Sequence, residues 1–204
     1  GQDVTDVRAG VGLLWFALVS SPTGDPQLWR SDGTLAGTFA SITSLDPIYI
    51  EPYPGGVLVV DTAGDLWRTD GTESDIELLA SGVGPGVTDR AQSNGIIYLD
   101  DFTNELLWRT DLTPGGTFPL LATPNGGIGG ELILFGPDSV SPTGLFFTQN
   151  ELGSTGIELW HTDGQVAGTQ IVTDLIPGSL GSSPDHLFFG LGTLFFSARD
   201  ASLE

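Results

Sequence analysis

A chain of 204 residues with 26 acidic and six basic side chains, all six of them arginine, carries a formal charge of −20 at pH 7. That balance excludes the basic footprint of a nucleic-acid binder and is repelled by anionic membranes. The absence of cysteine excludes disulfides, thiolate nucleophiles and zinc–thiolate sites.

With 30 glycines, 13 prolines and few uninterrupted helix-forming stretches, the composition points to a single all-β domain over 1–204. Gly1 starts in mid-pattern and no methionine occurs, so the chain reads as a processed or excised piece. Branched and aromatic runs bounded by glycine predict the strands in order. The first is Leu14–Ala17 behind Gly12, inside the longest apolar run, Leu13 to Val19. That run is far shorter than the roughly 20 residues of a membrane helix, so no membrane insertion is expected. Leu28-Trp29-Arg30, Phe39–Ile42 and Ile48–Ile50 follow. The next period gives Leu58–Asp61, Leu66-Trp67-Arg68 and Ile76–Leu79, and the one after it Ile97–Asp100, Leu107-Trp108-Arg109 and Phe118–Leu121. Pro119 suits an edge strand, because proline cannot donate to a ladder. Leu132–Phe135, Leu145–Thr148, Leu159-Trp160-His161 and Ile171–Leu175 form a fourth period, before His186–Phe189 and Leu194–Ser197. The loops Ser81 to Gly86 and Pro124 to Gly130 punctuate the pattern without ending it.

The strands Leu28–Arg30, Leu66–Arg68, Leu107–Arg109 and Leu159–His161 are copies of one element. Each runs into a Ser/Thr-Asp turn: Asp32-Gly33, Asp70-Gly71, Asp111-Leu112 and Asp163-Gly164. Asp-Gly readily takes positive φ and marks a hairpin tip, whereas a leucine there is costly. Three of these turns are therefore expected at hairpin tips, and Asp111-Leu112 in a different or longer turn. Trp29, Trp67, Trp108 and Trp160 recur roughly 40 to 50 residues apart, a period suited to a four-stranded propeller blade. A tryptophan at one place in every blade is expected to pack between blades.

At Glu158–Gly164 with Ala167-Gly168-Thr169, and at Leu28–Gly33 with Ala36-Gly37-Thr38, the chain resembles the bacterial ELWxxDGTxxGT repeat proteins. The second copy departs from the pattern with Ser74-Asp75 in place of Gly-Thr, and the third with Leu112, although it keeps Gly116-Thr117. The resemblance implies a β-propeller repeat of large secreted or surface proteins, and with it an extracellular or cell-surface location. It implies no defined activity.

Candidate chemistry is sparse. Asp61, Asp100 and Asp101 end strands where carboxylates could converge for glycoside hydrolysis or lysis. His161 takes the slot of an arginine and His186 a blade connection, neither near a nucleophile elbow. Hard oxygen ligands suit calcium, with Asp100, Asp101, Asn104 and Glu105 the densest candidates, although their spacing matches no calcium loop. No cofactor is expected otherwise. The reading is a five-bladed β-propeller that is no enzyme, an extracellular module for protein or glycan partners, with a propeller glycoside hydrolase or lyase, or a lectin, as alternatives. Gln2–Val7 aligns with Gln170–Leu175, and the partial repeat at 193–204 stops where a Leu-Trp strand should begin. The two ends are therefore expected to share a fifth blade lacking one strand, through which copies could self-associate.

Overall fold

The computed structural model describes residues 3–10, 12–19, 24–122, 133–134, 140–141, 143–151 and 154–200. The expected loop Pro124 to Gly130, and Leu132 and Phe135 of an expected strand, lie outside them. The protein is all-β, and its strands are grouped in antiparallel sheets joined by short turns. It divides into two compact units, Gly1–Val87 and Thr88–Glu204.

The first unit holds two four-stranded meanders. One contains β1 (Asp3–Gly10), β2 (Leu13–Val19), β3 (Pro26–Ser31) and β4 (Phe39–Ile42), and the other β5 (Pro47–Tyr53), β6 (Gly56–Asp61), β7 (Leu66–Thr69) and β8 (Ile76–Ala80), each in sequence order. Trp15, Ala17, Leu28 and Ile42 of the first sheet close a core with Ile50, Val57 and Val59 of the second. Because side chains alternate faces along a strand, one face of each sheet supplies this core.

A third sheet holds β9 (Val87–Ser93), β10 (Ile96–Asp101), β11 (Leu106–Thr110) and β12 (Phe118–Ala122), again in order. Pro119 lies on its outermost strand, where no ladder donor is needed. In the fourth sheet β13 (Ile133–Leu134) and β14 (Val140–Ser141) both pair with β15 (Gly144–Glu151), which continues to β16 (Gly156–Thr162) and β17 (Gln170–Thr173). Tyr98 and Leu107 of the third sheet share a core with Leu145, Phe147 and Trp160 of the fourth. A last hairpin pairs β18 (Asp185–Gly190) with β19 (Thr193–Ser197). Among the described residues no helix is long and apolar enough to cross a membrane.

The shared fifth blade needs correction. Asp3–Gly10 pairs with β2 along its whole length, from Asp3 opposite Val19 to Gly10 opposite Leu13, as the first strand of the first sheet. A tight turn with Gly12 at φ 72° folds it straight back onto β2. The likeness of Gln2–Val7 to Gln170–Leu175 reflects the polar and branched alternation that edge strands share.

Within each unit, carboxylates fasten neighbouring segments together. Asp6 Oδ2 on β1 accepts the β5 amide of Ile50 at 3.0 Å. Glu73 accepts from the Thr43 amide at 2.6 Å, the Thr43 hydroxyl at 2.9 Å and the Ser44 hydroxyl at 2.8 Å. Glu158, fully buried, accepts from the Ser182 amide at 2.8 Å and from the Ser182 hydroxyl, fastening the approach to the last hairpin. These three carboxylates therefore do structural work between segments of the fold.

The Thr43 amide, above all, together with the Ser44 hydroxyl holds the Glu73 carboxyl below its ordinary value. A depressed folded-state pKa contributes stability above the unfolded value of about 4.3 that is lost as pH falls through the folded one. Glu73→Gln is expected to lower the denaturant midpoint at pH 7 and to leave it nearly unchanged at about pH 3. Chemical denaturation at the two pH values measures the difference.

Candidate functional site

The repeated turn is the most elaborate polar construction in the molecule. The hydroxyls of Ser31, Thr69, Thr110 and Thr162 accept from the amides of Gly33, Gly71, Leu112 and Gly164 at 3.0–3.1 Å. The carboxylates of Asp32, Asp70, Asp111 and Asp163 accept from the amides of Thr34, Thr72, Thr113 and Gln165 at 2.8–3.1 Å. Aspartate and serine or threonine thus bend the backbone through their own side chains. The side-chain bond from the following threonine, first, and its amide hold Asp32 and Asp111 below the ordinary carboxylate range.

The trailing Gly-Thr completes the turn. A Cβ on Gly37, Gly116 or Gly168 would fall 2.0–2.1 Å from the aspartate Oδ1, so glycine makes room for the carboxylate. Thr38, Thr117 and Thr169 donate to the carbonyls of Thr34, Thr113 and Gln165 at 2.6–2.8 Å. They accept from Ser31, Thr110 and Thr162 at 2.6–2.7 Å. The second copy, without Gly-Thr, substitutes Asp75, whose carboxylate accepts the Asp70 amide at 3.0 Å.

Gly33, Gly71 and Gly164 take φ 85–93° at the tips as expected. The expectation of a different turn at Asp111-Leu112 is overturned: Leu112 adopts φ 68° within the same hydrogen-bond pattern. The Thr110 and Asp111 side chains dictate the conformation, and leucine bears a strain of about 1 kcal/mol.

Two tips are seated on the preceding sheet. Gly71 lies beneath Trp15, with the Ser41 hydroxyl donating to its carbonyl, and a Cβ there would come within 2.5 Å of the indole. Gly164 lies against Ile96 and Tyr98, with Arg109 Nη1 donating to its carbonyl at 3.0 Å. Trp15 and Tyr98 are register equivalents, facing Arg30 and Arg109 across their hairpins. The repeated tryptophans are less uniform. Trp108 and Trp160 are 7% and 6% exposed, whereas Trp29 and Trp67 are half-buried. The Trp67 indole donates to Asp61 at 2.8 Å, whereas among the described residues those of Trp29 and Trp160 are buried without a partner.

Of the candidate catalytic and calcium residues, Asp61, Asp101 and Asn104 bond within their own hairpins. Asp61 also accepts the amides of Ala63 and Asp65, each at 2.9 Å. Asp101, fully buried, accepts the amides of Thr103 and Asn104, each at 3.1 Å, and the Asn104 side chain at 2.7 Å. Burial pushes its carboxyl up against the pull of those donors. Asp100 projects from the opposite face of β10, as strand alternation requires. Glu105 occupies the turn at φ 53°. Among the described residues no three His, Asp or Glu side chains form a group suited to a metal ion. His186 is exposed, with Asp185 and Ser197 both 3.4 Å from the same nitrogen, Nδ1, which is no relay from nucleophile to acid.

Among the described residues, two recesses stand out. One, of about 290 Å³, is lined by Leu13, Trp15, Tyr53, Gly55, Gly56 and Asp70. Burial pushes the Tyr53 phenol up, opposed by a hydrogen bond from Arg68. The other, of about 360 Å³, is lined by Thr143, Phe146, His161, Gln170, Ile171 and Val172. Arg30 and Arg109 stack over Phe39 and Phe118 at 4.7 and 5.0 Å. In the fourth sheet the equivalent pair is His161 and Gln170, and Phe146 lies against the His161 ring at 4.8 Å. The recess opens where that pair replaces arginine and phenylalanine.

No protein-family model and no curated protein matches this chain. Among solved structures a puromycin hydrolase is similar with a TM-score of 0.54 and 18% identity, over 95% of this chain and 33% of that one. The likeness is one of fold, and this chain spans about a third of that protein's length. An oligogalacturonate lyase in complex with manganese has a TM-score of 0.47 at 13% identity, over 94% of this chain and 60% of that one. A chain of a nidogen–laminin complex has a TM-score of 0.43 at 10% identity, over 96% and 72%.

Gly33 and Gly71 separate the two demands on a turn glycine. A Cβ on Gly33 would meet open space, so Gly33→Ala is expected to cost about 1 kcal/mol for its φ alone. Gly71→Ala adds overpacking against Trp15, roughly 1–3 kcal/mol more. Urea denaturation of the two variants tests the difference, and equal costs would refute the seating of Gly71.

Proposed function

We propose that this chain is a run of β-propeller blades of the ELWxxDGT-repeat type, serving as a non-catalytic extracellular or cell-surface module that binds protein or glycan partners. The observation that carries the reading is where the recurrent chemistry goes. The Ser/Thr-Asp turns bind their own backbone, Asp61 and Asp101 brace hairpins, Glu73 joins the first two sheets, and Glu158 fastens the approach to the last hairpin. These carboxylates are committed to amides and hydroxyls, and a pair working as acid and base would have to leave those partners. The meandering four-stranded sheets and the likeness in fold to a much longer solved structure support the propeller reading.

For a binding surface, the recess at Tyr53 combines an apolar floor of Leu13 and Trp15 with the Asp70 carboxylate at its rim. An aromatic face beside a hydrogen-bonding acid suits a sugar ring or a peptide side chain. Screening the protein against a glycan array and a panel of extracellular-matrix proteins is expected to give a ligand whose affinity falls about tenfold in Tyr53→Ala, with no product released. Turnover of a polysaccharide that is lost in Asp61→Asn or Asp101→Asn would overturn the non-catalytic reading.

A further inference from the structure

The larger recess has counterparts elsewhere in the chain, and there they are filled. In the first sheet the positions of Trp15 and Ser41 hold the Gly71 turn, and in the third those of Tyr98 and Arg109 hold the Gly164 turn. Pairing registers carry Trp15 and Tyr98 onto Phe146, Arg30 and Arg109 onto His161, and Phe39 and Phe118 onto Gln170. The residue bulged out of the ladder, Ser41 in the first sheet, becomes Val172 in the fourth. The recess therefore lies, in the fourth sheet, at the position that receives an Asp-Gly tip in the first and third.

The strands beside it are consistent with that role. The last hairpin, β18 and β19, corresponds to the first two strands of a sheet and is continuous with the seat through Phe146, stacked on Phe189 at 6.2 Å. Among the described residues β19 pairs with β18 alone, and Phe195 stands 55% exposed. In the first three sheets the strand at this position pairs next with a Leu-Trp strand. His161 Nε2 is buried with no hydrogen-bond partner among the described residues, at the place from which Arg109 donates to the Gly164 carbonyl.

We propose that the recess and the open edge of β19 together dock a Leu-Trp-x-x-Asp-Gly hairpin supplied by another polypeptide segment of this repeat type. Its Leu-Trp strand extends the sheet at β19, its turn glycine fits against Phe146 and Val172, and its turn carbonyl accepts a hydrogen bond from His161 Nε2. Burial holds the His161 ring below its ordinary pKa, leaving it neutral at pH 7 and able to donate from one nitrogen. The mode is strand addition to a sheet edge, with main-chain bonds for affinity and the seat for specificity. It deepens the binding-module reading by naming a partner, and it rests on the repeat geometry, so failure of glycan or matrix binding leaves it standing.

The probe is a synthetic peptide of residues 156–173, the chain's own β16–β17 hairpin, titrated into the full chain by calorimetry, with the His161 ring resonances followed by NMR. Saturable binding, a shift of the His161 signals, and at least a roughly tenfold loss in Val172→Trp are expected, while a scrambled peptide gives none. Val172 is 48% exposed, so the bulky variant is expected to melt with the parent. Should it not fold, the His161 shift decides. An absence of saturation at about 1 mM peptide, binding that leaves His161 unmoved, or binding undiminished in a folded Val172→Trp protein would overturn the proposal.

Discussion

Everything in this structure turns on one aspartate per repeat, bonded to its own backbone and, in three of the four copies, packed against a glycine that has no side chain to displace it. Asp32, Asp111 and Asp163 each accept an amide two residues on, and each occupies the space that a Cβ on Gly37, Gly116 or Gly168 would need. The turn this creates reverses the chain tightly enough to set the next strand antiparallel. Within each unit it also projects a glycine, Gly71 or Gly164, flat enough to lie beneath an aromatic ring of the sheet before it. Local hydrogen bonding thereby becomes sheet-to-sheet packing, which buries far more apolar surface than one hairpin could.

The same constraint explains how a chain of such charge folds compactly. Carboxylates that would repel one another in a crowded surface are bonded one by one to amides and hydroxyls, which at Asp32, Glu73 and Asp111 favours the ionised form. Glu73 and Glu158 extend the device from turns to sheet boundaries. Where a repeat loses one part, another supplies it: Asp75 takes over at the turn lacking Gly-Thr, and Leu112 is forced into a glycine's conformation by the side chains before it.

Strand positions, the hairpin tips and the tryptophan strand were legible in the sequence, because alternation, glycine punctuation and Asp-Gly have direct conformational meaning. Three features were not. Leu112 escapes a reading from single-residue propensity because the Thr110 and Asp111 side chains override that propensity. The first strand was assigned to the wrong sheet because similarity between edge strands carries no pairing information. The seats for the turns were missed because they depend on residues brought together across sheets. Trp15 and Tyr98 at matching positions, with Phe146 in the same register, were the signal that could have revealed them. The hydrogen bonds that Asp61 and Asp101 accept from their own hairpin amides are likewise beyond what alternation and spacing reveal.

The seating of a turn on the preceding sheet is tested most directly by a double-mutant cycle between Gly164 and Ile96, whose Cδ1 would lie 2.6 Å from a Cβ added at Gly164. Folding free energies of Gly164→Ala, Ile96→Ala and the double variant give the coupling. The account predicts that shortening Ile96 relieves the added methyl, so that the two costs fall short of additivity by about 1 kcal/mol or more. Additive costs would mean that the turn does not rest there, and would contradict the account.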